Sequence, residues 1–248
     1  MNNRLVSAEA PDDRLPRYQQ VRDDLVRRIA GGEWAPEQAI PTEAALAQTY
    51  AVSVGTVRKA IDQLVADGIV TRSQGRGTFV RRPRFDTSMF RFFRFKSRSG
   101  EPVLPVGRVL RRELAAPDET VRAALRLAPR DKAIHLSRVR LVDGQTVIAE
   151  EIWLPREGFE PLAKLALPDF GDLLYPLYER LCGQVVATAS ETLTVGQADA
   201  DIAALLRIAP ASPIIVVHRT AFDFAGKPLE WRFSRGAAAA FQYEVEIR

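Results

Sequence analysis

The sequence predicts an α+β chain in two parts: three helices and a β-hairpin in front, an antiparallel-sheet domain behind. Three observations lead there. Apolar residues recur at helical spacing through three segments before Gly68, and a turn-rich hairpin follows. A helix-and-hairpin pattern near 125–153 is echoed 81 residues later. Charge divides unevenly: residues 1–98 hold 17 Lys+Arg against 11 Asp+Glu, a net of +6, while residues 99–248 hold 18 against 20, a net of −2.

Composition bounds the answer first. A chain of 248 residues with 46% apolar and 27% charged residues has an ordinary globular balance and room for two domains. A single cysteine, Cys182, excludes an internal disulfide. With two histidines, His135 and His218, a Cys/His zinc site is implausible, and neither metal nor cofactor is expected. Met1 to Arg14 is polar and lacks the apolar core of a signal peptide. No apolar run approaches the ~20 residues of a membrane span. A soluble, cytoplasmic protein without a membrane partner is the expectation.

The front half builds element by element. Tyr18, Val21, Leu25 and Ile29 form one helical stripe, with Pro16 suited to its first turn and Gly31-Gly32 to its end. Thr42 caps a short second helix through Leu46, because its hydroxyl accepts from free N–H groups. Ser53 caps a third, with Val57, Ile61, Leu64 and Val65 as its core stripe and Gly68 as its stop. Ile69–Arg72 and Thr78–Arg81 read as strands around the turn Ser73-Gln74-Gly75-Arg76-Gly77.

Two helices joined by a tight turn and followed by a hairpin have the shape of a winged helix-turn-helix, whose last helix suits a major groove. Stepping 100° per residue from Val57 puts Gly55 at about 160° and Lys59 at about 200°, flanked by Arg58 and Thr56. The face away from the core is therefore small and cationic. Gly55 permits close approach of the helix entrance to a phosphate, and the free N–H groups there favour anions. Arg76, between two glycines at the wing tip, suits a minor groove. Candidate DNA contacts are Thr42, Ser53, Gly55, Thr56, Arg58 and Lys59, with Gln74, Gly75, Arg76 and Gly77 on the wing.

Residues 16–81 resemble the N-terminal domain of GntR-type bacterial transcription regulators. The matching pieces are Pro16-Arg17-Tyr18-Gln19-Gln20-Val21, Ile40-Pro41-Thr42-Glu43, Val52-Ser53-Val54-Gly55-Thr56-Val57-Arg58-Lys59-Ala60, Leu64-Val65-Ala66-Asp67-Gly68 and Gln74-Gly75-Arg76-Gly77-Thr78-Phe79-Val80. The resemblance implies operator binding. Ala44 and Val54 stand where the family often has arginine, so of three arginines that commonly contact DNA only Arg58 is present, with Lys59 and Arg76 as nearby cations.

In the rear half, Leu125-Arg126-Leu127-Ala128-Pro129 is echoed by Leu206-Arg207-Ile208-Ala209-Pro210. Each is followed by a strand, a turn and a second strand: Ala133–Leu141 with Thr146–Trp153, and Ile214–Phe222 with Leu229–Phe233. The 81-residue offset pairs Arg138 with Arg219. Strand parity puts Arg138 and Arg140 on one face and His135 on the other. Arg138, Arg140 and Arg219 need anions if their face is covered. Glu150 and Glu230 either supply those anions as a structural network or join the arginines in a pocket for an acidic, hydroxyl-bearing ligand.

Residues 90–245 also resemble the effector-binding (UTRA) domain of the HutC subfamily of these regulators. The features are Ser137-Arg138-Val139-Arg140, Asp143-Gly144, Glu150, Leu174-Tyr175 and Gly226-Lys227-Pro228-Leu229-Glu230. The resemblance implies a chorismate-lyase-like antiparallel-sheet domain that binds a small metabolite and forms a dimer. It assigns Arg138 and Arg140 to an anionic group of the effector and Glu150 and Glu230 to its polar groups; Arg219 joins them as a candidate. Leu173 stands where sugar-phosphate-binding relatives often have serine, which leaves another small acid open.

The competing class is an enzyme of chorismate-lyase-like fold acting on a small organic acid. Against it, no serine or cysteine nucleophile sits in a recognisable motif. His135 and His218 have apolar sequence neighbours and read as satisfied strand histidines, and Cys182 as a small apolar residue at a helix end. The expected organisation is a flexible N-terminus (1–14), a winged helix-turn-helix DNA-binding domain (15–81), a linker (82–89) and an effector-binding and dimerisation domain (90–248), which begins with a strand at Phe93-Arg94-Phe95-Lys96. The whole reads as a homodimeric repressor of a pseudo-palindromic double-stranded operator, controlled by an anionic small molecule and not itself an enzyme.

Overall fold

The computed structural model describes residues 15–82 and 103–241. The N-terminal segment 1–14, most of the expected linker and the expected strand around Phe93 lie outside the described residues. The chain divides into two compact units, Met1–Arg82 and Pro83–Arg248.

In the first unit, α1 spans Arg17–Ala30, α2 Glu43–Thr49 and α3 Val54–Ala66. Pro16 sits one place before the first turn of α1, and its carbonyl accepts from Gln19 and Gln20. Thr42 Oγ1 accepts from the Ala45 amide at 3.2 Å, and Ser53 Oγ from the Thr56 amide at 3.1 Å, so both expected caps form. Val21, Leu25 and Ile29 of α1 are buried with Leu46 of α2 and with Val57, Ile61 and Leu64 of α3. Burying each such aliphatic side chain contributes roughly 1.5–3 kcal/mol, which three short helices need because none is stable alone. Val65, expected in that stripe, is exposed at its margin. Gly68, at φ 70°, turns the chain into β1 (Val70–Ser73), which pairs antiparallel with β2 (Gly77–Val80).

The second unit is one six-stranded antiparallel sheet. Its strands are β3 (Val106–Ala115), β4 (Ala133–Val142), β5 (Gln145–Pro155), β6 (Thr188–Gln197), β7 (Pro213–Phe222) and β8 (Pro228–Ala237), in the order β3-β4-β5-β8-β7-β6. Three short helices join them: α4 (Glu119–Ala124), α5 (Leu174–Cys182) and α6 (Ala200–Leu206). The sequence echo is thus a repeated strand–helix–hairpin unit, and the two copies meet where β5 pairs with β8. The repeat reaches the caps: Asp118 and Asp199 each accept from the backbone amide three residues on, both at 2.8 Å. Arg126 and Arg207 follow α4 and α6 in left-handed backbone, at φ 53° and 54°. Both β3 and β6 lie upstream of the echoed segments, in sequence that carries no clear alternation.

The sheet is covered on both faces. Ile134, Leu136, Ile152 and Leu154 pack under α5 and two 3₁₀ turns through Phe159, Phe170, Leu174, Leu177 and Tyr178. On the other face Ala149, Ile214 and Val216 pack under Ile202, Ala203 and Leu206 of α6. No helix among the described residues is long and apolar enough to cross a membrane.

Replacing either capping aspartate by alanine, Asp118→Ala or Asp199→Ala, is expected to lower stability by about 1 kcal/mol. Denaturant midpoints measured at neutral pH check this.

Candidate DNA-reading and ligand-binding sites

On α3 the sequence-derived contacts gather on one exposed face. Ser53, Gly55, Arg58 and Lys59 are exposed and Thr56 is half-buried; Gln74 to Gly77 are exposed on the hairpin. A Cβ at Gly55 would meet only Ser53 Oγ, at 3.8 Å, so nothing inside the fold demands glycine there. The Lys59 ammonium lies 4.0 Å from the Tyr18 ring centroid, and the Arg76 guanidinium 5.8 Å from that of Phe79. Arg58 Nε donates to Glu43 Oε2 at 2.9 Å. Glu43 Oε1 in turn accepts from Arg72 Nη2 at 3.0 Å, and Arg72 also pairs with Asp62. Thr42 is exposed and serves as the cap of α2. Sequence reasoning missed Arg72, and used Glu43 only as part of a motif, because contacts 15 and 29 residues away leave no periodic signal.

In the sheet domain all five predicted residues come together on the face under α5. Arg138, Arg140, Glu150, Arg219 and Glu230 are buried, and Arg232 and Ser234 join them. Register explains the grouping: Arg138 pairs with Glu150 across β4–β5, Glu150 with Ser234 across β5–β8, and Arg232 with Arg219 across β8–β7. Glu150 sits at the centre. It accepts from Arg138 Nη1 at 3.2 Å, Arg140 Nε at 3.5 Å and Arg232 Nη1 at 3.3 Å. Glu230 accepts from Arg232 Nη2 at 2.7 Å, from Tyr178 Oη at 2.7 Å and from Tyr175 Oη at 3.1 Å. Arg219 Nε pairs with Glu191 at 2.6 Å, at the margin. Arg232 and Ser234 were legible in principle, since they continue the alternation that Glu230 begins.

Electrostatics follows from this crowding. Burial alone would push the Glu150 carboxyl up, but Arg140, Arg232 and Arg138 outweigh it and hold it down at about 2. Burial pushes the Arg138 guanidinium down to about 10 against the pull of Glu150. Burial also pushes the Tyr175 hydroxyl up to about 12. Four guanidiniums, none more than 4% exposed, thus lie around two fully buried carboxylates, with Glu191 pairing Arg219 at the margin. Arg138 Nε and Arg232 Nε are buried with no hydrogen-bond partner among the described residues.

Gly107 on β3 makes room for this arrangement. A Cβ there would fall 1.9 Å from Arg138 Nη2, so only glycine lets the guanidinium lie against the strand. Arg138 Nη2 reaches the Asp172 carbonyl, and Asp172 Oδ1 accepts from the Gly107 amide at 3.1 Å. A cavity of about 310 Å³ opens beside this contact, lined by Gly107, Val109, Leu167, Pro168 and Gly171 among others.

On the opposite face His135 is a satisfied strand histidine, and its partners are carboxylates: its ring lies between Glu151, at 2.6 Å, and Glu113, at 3.1 Å, and stacks on Trp153 at 4.1 Å. His218 packs against Phe233 and Trp231, as an apolar strand histidine would. Ser137 donates to Glu151 rather than to His135, so serine and histidine do not form a nucleophile–base pair. Cys182 ends α5, half-buried against the core.

A winged helix-turn-helix in one chain with a sheet domain whose interior is charged and partly unsatisfied defines a ligand-responsive DNA-binding regulator. Comparison with known proteins agrees. Residues 17–80 match the bacterial regulatory proteins of the gntR family, and residues 103–242 match the UTRA domain. The chain belongs to the gntR family, in the branch that carries a UTRA domain. It is 29% identical over 233 residues to the mannosyl-D-glycerate transport/metabolism system repressor MngR of Escherichia coli, covering 94% of this chain and 95% of that protein. It is 27% identical over 217 residues to the transcriptional repressor NagR of Bacillus subtilis, covering 87% and 88%. The crystal structure of PhnF from Mycobacterium smegmatis superposes with a TM-score of 0.53 at 23% identity, over 92% of this chain and 99% of that one. The protein is a DNA-binding transcription regulator with an effector-binding domain; the lyase-like alternative finds no support in these relatives.

Burial opposes charging of His135, but its bonds to Glu151 and Glu113 outweigh that and raise its pKa. Protonated His135 therefore stabilises the fold fully below its unfolded value of about 6.5, and the gain is lost as pH rises through the raised folded value. Arg111 and Arg235 also face these carboxylates. The loss in melting temperature caused by His135→Gln is expected to be larger near pH 6 than near pH 9. Thermal melts of both proteins across that range decide it.

Proposed function

We propose that the protein is a homodimeric repressor of a pseudo-palindromic operator, released by a small anionic metabolite bound at the Glu150 cluster. The observation that carries the effector reading is the buried arginine cluster in which Arg138 Nε and Arg232 Nε have no hydrogen-bond partner among the described residues. A buried N–H donor left without an acceptor costs about 1–3 kcal/mol, and a bound anion would offset that cost. Arg138, Arg140 and Arg219 would hold the acidic group, with Arg232 beside them. Glu150 and Glu230 would accept from hydroxyl groups. An acidic sugar derivative has both kinds of group; the compound in the name of the E. coli relative is one such molecule, while Leu173 argues against assuming a sugar phosphate.

On the DNA side, α3 would lie in the major groove with Gly55 against a phosphate, Arg58 on a base edge and Lys59 on the backbone. Thr42, Ser53 and Thr56 would contact phosphates near the two helix entrances. Gln74, Gly75, Arg76 and Gly77 would approach the minor groove. Twofold pairing of subunits would set two half-sites. The segment 82–89 would act as the linker, carrying about 1–3 kcal/mol of coupling between the halves.

Arg58→Ala is expected to weaken operator binding by about 1–3 kcal/mol. Gel-shift titration measures it, and unchanged affinity removes Arg58 from the interface.

Replacing Arg138 and Arg140 together by Gln is expected to abolish the response to effector while operator binding persists. A thermal-shift screen of sugar acids and small organic acids finds the effector. A normal dose response in the double variant refutes the pocket.

A further inference from the structure

We propose that Glu43 is the positioning residue that aims Arg58 at a guanine in each operator half-site. The proposal rests on the reading that α3 enters the major groove, and it adds a residue that reading does not contain. The geometry is specific. Glu43 takes only the Nε of Arg58, at 2.9 Å, and leaves Nη1 and Nη2 with no partner among the described residues. Those two donors form the end of the guanidinium fork that matches the O6 and N7 acceptors of guanine. An arginine free to sweep its rotamers would lose side-chain entropy on reading a base; one held at Nε has lost it beforehand.

The buttress is itself held. Glu43 opens α2 directly after the Thr42 cap, which fixes where its side chain starts. Its second oxygen accepts from Arg72 on β1, at 3.0 Å, and Arg72 is anchored to Asp62 on α3. Both carboxylate oxygens are thus engaged, and the order of partners is Asp62, Arg72, Glu43, Arg58. The chain ends in the open: the Arg58 side chain is 61% exposed, against 23% for Glu43. A carboxylate beside a DNA-facing surface opposes phosphate binding, so its presence there lowers general affinity. Aiming an arginine gives that cost a return, in discrimination between bases. Pure stapling of the fold would not require the fork of Arg58 to be left open.

The test uses the full-length protein and a randomised duplex pool, with a scrambled duplex as the measure of general binding. Wild-type protein should enrich a twofold-symmetric motif with a guanine preference that Arg58→Ala erases. Glu43→Gln should lower discrimination at that same guanine about tenfold, while binding to the scrambled duplex stays equal or rises. In the Arg58→Ala background, Glu43→Gln should change discrimination no further. If Glu43→Gln fails to fold by circular dichroism, Glu43→Asp keeps the charge, shortens the reach, and should lower the same preference. Full guanine preference in the folded Glu43 variant overturns the proposal, as does an effect that persists without Arg58. An equal loss on both duplexes also overturns it, because that marks a merely structural role. If Arg58→Ala itself leaves the enriched motif unchanged, the major-groove reading fails first and takes this proposal with it.

Discussion

One buried carboxylate organises the sheet domain. Glu150 lies where β4, β5 and β8 run side by side, and it accepts from arginines on β4 and β8. Removing it would leave three guanidiniums facing one another in a low dielectric. Stability is not a sufficient reason for such a cluster. Well-packed apolar side chains of similar volume generally serve a fold as well or better than buried ion pairs. The surrounding sheet makes the contrast plain, since Ile148 and Ile152 stand on the same face two residues to either side of Glu150 and are completely buried. A domain able to fill that layer with isoleucine has instead kept four arginines there.

The internal repeat bears on how the cluster can exist. Counting 81 or 82 residues forward, Arg138 maps to Arg219, but Glu150 maps to Arg232. The two repeats meet at the β5–β8 seam, where Glu151 pairs with Phe233 and Trp153 with Trp231. Two identical copies would bring like groups together across such a seam. The exchange of glutamate for arginine lets Arg232 bond Glu150 at 3.3 Å across it. The duplicated backbone therefore supplies the frame, and departure from symmetry supplies the chemistry. The unequal turns agree: the first hairpin closes through Asp143-Gly144, whereas the second needs a longer loop held by Asp223.

Much of this was legible in residue order, for physical reasons that differ by element. The caps at Thr42 and Ser53 and the stripe through Val57, Ile61 and Leu64 depend on neighbours within one turn, which a sequence displays directly. The grouping of Arg138, Arg140 and Glu150 followed from parity along a single hairpin. What stayed hidden depends on contacts between distant segments. β6 shows mostly polar exposed residues because it is an edge strand, so it has no alternation to read. His135 reads as a satisfied strand histidine, yet its two carboxylate partners come from strands on either side and leave no local signal. Arg112, which reaches the carbonyls of Leu162 and Leu165, is equally silent in the sequence. Gly107 looks ordinary until the Arg138 guanidinium is seen against it.

The contacts of the cluster also indicate what a ligand would disturb. Arg138 is tied to the Asp172 carbonyl, and Glu230 to the hydroxyls of Tyr175 and Tyr178. All three partners belong to one stretch of chain, the approach to α5 and the helix itself. An anion that takes Arg138 competes with Asp172, and a hydroxyl that takes Glu230 competes with the tyrosines. A ligand with both groups therefore cannot fill the cluster without renegotiating how α5 sits on the sheet. Leu174, Leu177 and Tyr178 bury the same stretch in the core, so it has discrete packed positions rather than a continuum. The free energies are of comparable size: coupling of about 1–3 kcal/mol matches the cost of one buried N–H left without an acceptor. In the proposed reading, α5 is therefore the element that ligand binding would shift.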